Sequence, residues 1–259
     1  MGLIAGLATA VLILAAMAVG YSIYQSSRPP EGSVGEFLKR PRPTRKRVAV
    51  IFGASTIHGR VGIDALPAVR ERLLAWEIVN AGHNGDSCGQ LLARIEQVLA
   101  CKPDAIVVET GGNDALRDRS SEAFRSDLTA LVDQLQTWCA RIGLCSFQVA
   151  GDDLKTPVNR LVSEYAQVMR SLASKRGLGY LPLRERMMAE LDACAGGSAW
   201  NENMMLVISS ILERHLIRRS VDEQVRQRGF RFKPDGLHLN TRGSKRLTEV
   251  IVECLDAVA

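Results

Sequence analysis

Arg47-Val48-Ala49-Val50-Ile51-Phe52-Gly53-Ala54-Ser55-Thr56 carries five apolar residues in a row, stops at a glycine and passes at once into small polar residues. An apolar run without polar alternation reads as a strand covered on both faces, as in a parallel sheet. Four further runs resemble it, at Glu77–Asn80, Asp104–Thr110, Leu144–Val149 and Gly179–Leu183. Between them Ala65–Trp76, Gln90–Ala100, Ser121–Ile142 and Asn159–Arg176 place apolar residues at helical spacing, as does Thr241–Val258 at the end. Strand alternating with helix predicts a three-layer α/β/α sandwich, flavodoxin-like, around a mostly parallel five-stranded sheet.

Outward from this core the chain divides into unequal parts. Residues 1–27 hold no charged side chain, and Leu3–Ile23 is apolar for long enough to cross a bilayer. This predicts one N-terminal transmembrane anchor; a signal segment is the alternative, since Ala16-Met17-Ala18 has the form of a cleavage site although no Lys or Arg precedes the apolar run. Residues 28–46 form a basic, Pro-containing linker. Together with Arg47 they hold seven basic and two acidic side chains, which is the whole net charge of +5. Charge of this sign after a span favours a single-pass protein with its domain on the cytoplasmic side, an exported domain being the alternative. The linker either contacts anionic lipid or is solvated. The rest of the chain is balanced, so the basic pI does not indicate a nucleic-acid partner. Residues 47–259 suit one domain. Its six cysteines show no CxxC pair and no zinc spacing, and no metal or organic cofactor is expected.

Polar motifs follow the first three strands and precede the last helix. They are Gly53-Ala54-Ser55-Thr56, Asn84-Gly85-Asp86, Gly112-Asn113-Asp114 and Asp235-Gly236-Leu237-His238. In a doubly wound sheet the loops at the carboxyl ends of strands gather at one edge. Ser55 as nucleophile, His238 as its general base and Asp235 as the orienter of that base would complete a triad. The backbone N–H groups of Ser55 and Gly85 and the side-chain amide of Asn113 would meet a tetrahedral oxyanion. Glycine at 85 is expected to let the backbone approach a substrate closely. Asp114 reads as a brace for the loop of Asn113. His58 and His83 read as neighbouring or surface residues, and His215 as structural or exposed.

In the order and spacing of these motifs the chain resembles the SGNH, or GDSL-type, hydrolase family over residues 47–183 and 233–257. Val79–Ser87 and Val107–Leu116 look most like the bacterial acyl thioesterase/lysophospholipase/arylesterase group. The resemblance implies hydrolysis of carboxylic ester or thioester bonds in small acyl or lipid-like substrates through an acyl-enzyme. One position departs from it: the family's first motif reads Gly-Asp-Ser, and here Ala54 precedes Ser55. That Asp is a supporting residue in the family, so its absence implies a slower or more selective enzyme. A carbohydrate O-deacetylase of envelope polymers and an inactive SGNH-like binding module are the alternative readings.

Residues 184–232 are an insert between the fifth strand and the His238 loop. Met204–Ile217 is apolar, and residues 214–233 add seven basic side chains to two acidic ones. This predicts a lid helix with solvated arginines, or else a helix that touches lipid. Ala195-Gly196-Gly197-Ser198 would be the joint before it.

Overall fold

In the computed structural model residues 2–192 and 204–257 are described, so the expected joint at 195–198 and Cys194 lie outside the described residues. Five strands, β1 (Arg47–Gly53), β2 (Trp76–Gly82), β3 (Ala105–Thr110), β4 (Ile142–Ser146) and β5 (Gly179–Leu181), form one sheet. Its order is β2-β1-β3-β4-β5 and every neighbouring pair is parallel. Thirteen described helices surround it: α1 (Gly2–Ser27), α2 (Val34–Leu38), α3 (Ser55–His58), α4 (Leu66–Arg72), α5 (Cys88–Ala93), α6 (Ile95–Leu99), α7 (Gly112–Leu116), α8 (Ser121–Gln136), α9 (Pro157–Arg176), α10 (Leu183–Asp192), α11 (Met204–His215), α12 (Val221–Arg228) and α13 (Thr241–Asp256).

The pleat explains the two covering layers. Val48, Val50 and Phe52 turn to one face with Val79, Ile106, Val108 and Leu144, where α5, α6, α8 and α9 pack. Ala49 and Ile51 turn to the other with Ile78 and Val107, where α4, α10 and α13 pack. Both faces are dry, which is why the β1 run shows no polar alternation. Each fully buried large side chain contributes about 1.5–3 kcal/mol. In α8, Phe124, Leu128, Leu131 and Leu135 form the buried stripe, and Ser120 caps its first turn.

The run expected at Leu144–Val149 forms a strand over Ile142–Ser146, and three expected helices are shortened or divided. Ala65–Trp76 ends as a helix at Arg72, because Trp76 already pairs with Arg47 in the sheet. Ser121–Ile142 ends at Gln136, because β4 must start at Ile142 to pair with Ile106. Gln90–Ala100 is two short helices broken at Arg94, whose side chain is used elsewhere.

Residues 28–46 are not a free tether. Gly32 accepts from the Asn80 N–H at 2.8 Å and Ser33 bridges to Asn80 in parallel sense, which extends the sheet edge beside β2. Phe37 on α2 is buried in the core, and Arg42 donates to the Cys101 carbonyl at 2.9 Å and to Asp104 at 3.1 Å. Phe37→Ala is therefore expected to cost about 3–5 kcal/mol in chemical denaturation, as for a buried phenylalanine. An unchanged midpoint would mean that the segment does not dock.

Candidate active site

The strand order sets β2, β1 and β3 side by side, with Gly53 in register with Gly82 on one side and Glu109 on the other. The loops that follow are thus neighbours. Ser55 opens α3 two residues beyond the end of β1, and the Asn80 side chain on β2 donates to the Ile57 carbonyl at 2.8 Å, fixing that short helix. The second loop is bound to the first, since the His83 N–H donates to the Gly53 carbonyl at 3.0 Å. Arg94 closes the pair. Its guanidinium lies 4.7 Å from the Phe52 ring, donates to Gly53 O (3.1 Å) and Ala81 O (3.0 Å), and pairs with Asp86.

Gly85 has φ +83°, a conformation that glycine alone adopts without strain, and a Cβ there would meet no protein atom within 4 Å. The conformation, rather than crowding by the protein, is what demands glycine. Arg117 holds the Gly85 carbonyl at 2.8 Å. From the third loop Asn113 donates one amide N–H to the Asp86 carbonyl at 2.9 Å, which orients the amide and leaves it a second N–H. Asp114 is fully buried and accepts from the Cys88 N–H at 2.9 Å, the bracing expected of it.

The fourth loop is built on one carboxylate. Asp235 Oδ1 accepts the N–H groups of Leu237 (2.9 Å) and His238 (2.8 Å), and Oδ2 lies 2.7 Å from His238 Nδ1. This Asx-type turn positions the ring with the carboxylate already oriented. Burial alone would raise the Asp235 pKa, but the His238 ring and the hydrogen bonds outweigh it and hold the carboxyl below its usual range. Both residues are buried. The loop is joined to the nucleophile side by Ile63 N–H to Leu239 O at 2.7 Å, and Gly62 packs so closely that a Cβ would strike the Leu239 backbone. Ser55, Gly85 and Asn113 therefore follow adjacent strand ends, and the loop of the Asp235–His238 pair is tied to the segment after α3.

Sequence reading missed three groups here. Lys233 was counted in a solvated basic run, yet it is completely buried and donates to the carbonyls of Val149 and Gly151, tying the loop after β4 to the His238 loop. Burial lowers its pKa to about 7, against the pull of Asp152 and Asp235. Arg228 likewise turns inward and donates to Pro234 O at 2.7 Å. Glu109, inside the β3 run, is fully buried, and neither carboxyl oxygen has a hydrogen-bond partner. Its Oε2 would lie 3.1 Å from a Cβ on Gly53, so a carboxyl group does sit under the nucleophile turn, contributed by β3 rather than by position 54. Burial raises its pKa to about 8, although the Ala54 N–H favours the ionised form. His58 is buried too, and burial together with Arg60 lowers its pKa to about 4, so it is neutral near pH 7. His83 is exposed and pairs with Asp86 at 2.9 Å, and His215 is exposed. The five described cysteines are free thiols.

The carboxyl edge of the parallel sheet thus carries Ser55, Gly85 and Asn113 on the loops of three adjacent strands, and the hydrogen-bonded Asp235–His238 pair sits on a loop tied to the segment after α3. Residues 51–246 match the model of the GDSL-like lipase/acylhydrolase family, and the chain belongs to that family. It is similar to esterase TesA of Pseudomonas aeruginosa, 27% identical over 111 residues, 41% of this chain and 52% of that one. The chain thus spans about half the length of the curated relative it matches. Axe2, an acetylxylan esterase from Geobacillus stearothermophilus, shares the fold with a TM-score of 0.61 at 16% identity, over 82% of this chain and 96% of its own. A lipase/acylhydrolase from Enterococcus faecalis does so with a TM-score of 0.58 at 19% identity, over 82% and 96%.

Glu109 gives this edge a pH signature. The folded carboxyl stays protonated up to about pH 8, whereas the unfolded one ionises near its ordinary value of 4.5, so folding takes up a proton between them and stability falls as pH rises. Glu109→Gln is expected to be more stable than the parent near pH 8, with the advantage fading towards pH 4.5 in denaturant titrations. An advantage independent of pH would contradict the burial of an acid there.

Proposed function

We propose that the chain is a membrane-tethered serine hydrolase that cleaves carboxylic ester or thioester bonds of acyl substrates, with Ser55, His238 and Asp235 as its triad. The observation that carries the reading is the buried Asp235–His238 pair at 2.7 Å, set on a loop bound to the segment that follows Ser55. With Nδ1–H given to Asp235, His238 has Nε2 free as an acceptor, the tautomer a general base needs.

Ser55 Oγ attacks the acyl carbonyl carbon while His238 takes its proton. The resulting oxyanion is met by the N–H groups of Ser55 and Gly85 and the second amide N–H of Asn113. Collapse expels the alcohol or thiol, which receives the proton from His238, and leaves an acyl-Ser55 ester. Water, deprotonated by His238, then releases the acid. Loss of one oxyanion donor of this kind costs about 2.7–4 kcal/mol of barrier in the measured precedent. The tether is α1, in which Thr9–Ser27 is long and apolar enough to cross a membrane, and the basic residues after it favour a cytoplasmic domain.

The test is hydrolysis of p-nitrophenyl esters from acetate to palmitate by the full chain in detergent. Ser55→Ala is expected to abolish turnover, and Asp235→Asn to lower kcat by about 10⁴ as in other triads. Preference for acetate would favour a deacetylase and preference for long chains a lipid substrate. A folded protein that turns over none of them would sink the hydrolase reading.

A further inference from the structure

The C-terminal end of α1 is bolted to the candidate site. The Asn84 side chain, next to Gly85, donates to the Ser26 carbonyl at 2.7 Å, and Arg60, just beyond α3, donates to the Pro29 carbonyl at 3.1 Å. The last turns of the apolar helix therefore hold the very loops on which the nucleophile and an oxyanion donor stand.

α11 packs along the same helix, with Tyr21 meeting His215 edge to face at 6.4 Å. The residues it buries are Ser210 and Ile211, and Ser209 and Ser210 both receive hydrogen bonds from Arg228. Arg214 turns under it to the Gly62 carbonyl at 2.7 Å. Met204 and Met205 are 69% and 67% exposed, and Leu216 and Ile217, just past its end, are 63% and 64% exposed. Outside α1 only Leu74 and Trp138 are as openly apolar among the described residues, and they lie apart in sequence. A helix that buries only Ser210 and Ile211 while Met204, Met205, Leu216 and Ile217 at its two ends stay exposed is patterned for an apolar surrounding.

Charge marks the level at which that surrounding ends. Arg28, Arg60 and Arg214 line a cleft of about 200 Å³ at the end of α1 together with Glu31, Asp64 and His215, whose ring is kept neutral by partial burial and these arginines, and Arg218 and the Glu213-paired Arg219 follow. A basic collar between an apolar face and a catalytic domain is the arrangement of a protein at anionic headgroups.

We propose that α11 and α1 form one lipid-embedded face that holds the mouth of the site at the bilayer surface, so that the acyl ester cleaved is one resident in the membrane. This rests on the hydrolase reading of the site and on α1 as a membrane span. The occupant of the face is lipid rather than a second copy because the face continues α1 and is bounded by the basic collar.

The test uses the full chain reconstituted into phosphatidylcholine–phosphatidylglycerol vesicles. An environment-sensitive fluorophore is attached at Ile217→Cys or, for comparison, at Trp138→Cys, and the labelling of the unsubstituted protein is subtracted. The label at 217 should emit to the blue and be quenched by brominated lipid, and the label at 138 should do neither. The exposed double variant Leu216→Asp, Ile217→Asp should keep its rate on p-nitrophenyl acetate and lose about tenfold on p-nitrophenyl palmitate carried in vesicles. Solvent-like emission at both positions, or equal losses on both esters, would overturn the proposal. So would self-quenching between labelled chains without any effect of brominated lipid, which would assign the face to a second copy. A parent protein that cleaves neither ester would remove the hydrolase reading while the fluorescence still judges the face.

Discussion

The Arg94 guanidinium, seated on the Phe52 ring and shared between the carbonyls of Gly53 and Ala81, is the contact on which the catalytic edge depends. A parallel sheet brings all its carboxyl ends to one edge, but each strand ends in a carbonyl that must be satisfied as the chain turns away. Arg94 does this for the two strands that precede Ser55 and Gly85, and Asp86 neutralises it from the loop between them. Asn113 joins through the carbonyl of the same Asp86. The turn of Ser55 and the loops of Gly85 and Asn113 are thereby fixed to one another, the preorganisation that the proposed oxyanion donors require.

The same edge collects ionisable groups away from water. Asp235 stays ionised because His238 and two backbone N–H groups compensate its burial, whereas Glu109 has only the Ala54 N–H to offset its own and stays protonated near neutral pH. Two buried acids thus take opposite charge states, one bound to the His238 ring and one standing as a neutral group beneath Gly53. Lys233 holds the loop after β4 against the turn that carries both triad partners.

Much of this was legible in the chain. Apolar runs ending in Gly53 and Thr110 located the ends of β1 and β3, the run ending at Asn80 stopped two residues short of the end of β2, and the short polar motifs after them located the loops, because those features are local. What escaped is what depends on distant partners. Arg94 is a good helix former whose tertiary contacts interrupt its helix, and nothing in Gln90–Ala100 announces the carbonyls it serves. Glu109 reads as a polar flaw in an apolar run until the strand order places it beside Gly53. Arg228 and Lys233 read as solvated because their carbonyl partners are far away in sequence, and the docking of Phe37 was hidden by the basic residues around it.

Reaction of the folded full chain with a fluorophosphonate, followed by mass-spectrometric location of the adduct, tests the central claim most directly. The account predicts phosphonylation of Ser55 Oγ, strongly reduced in His238→Ala because the base is gone. An adduct on another serine, or none on protein that is demonstrably folded, would contradict it.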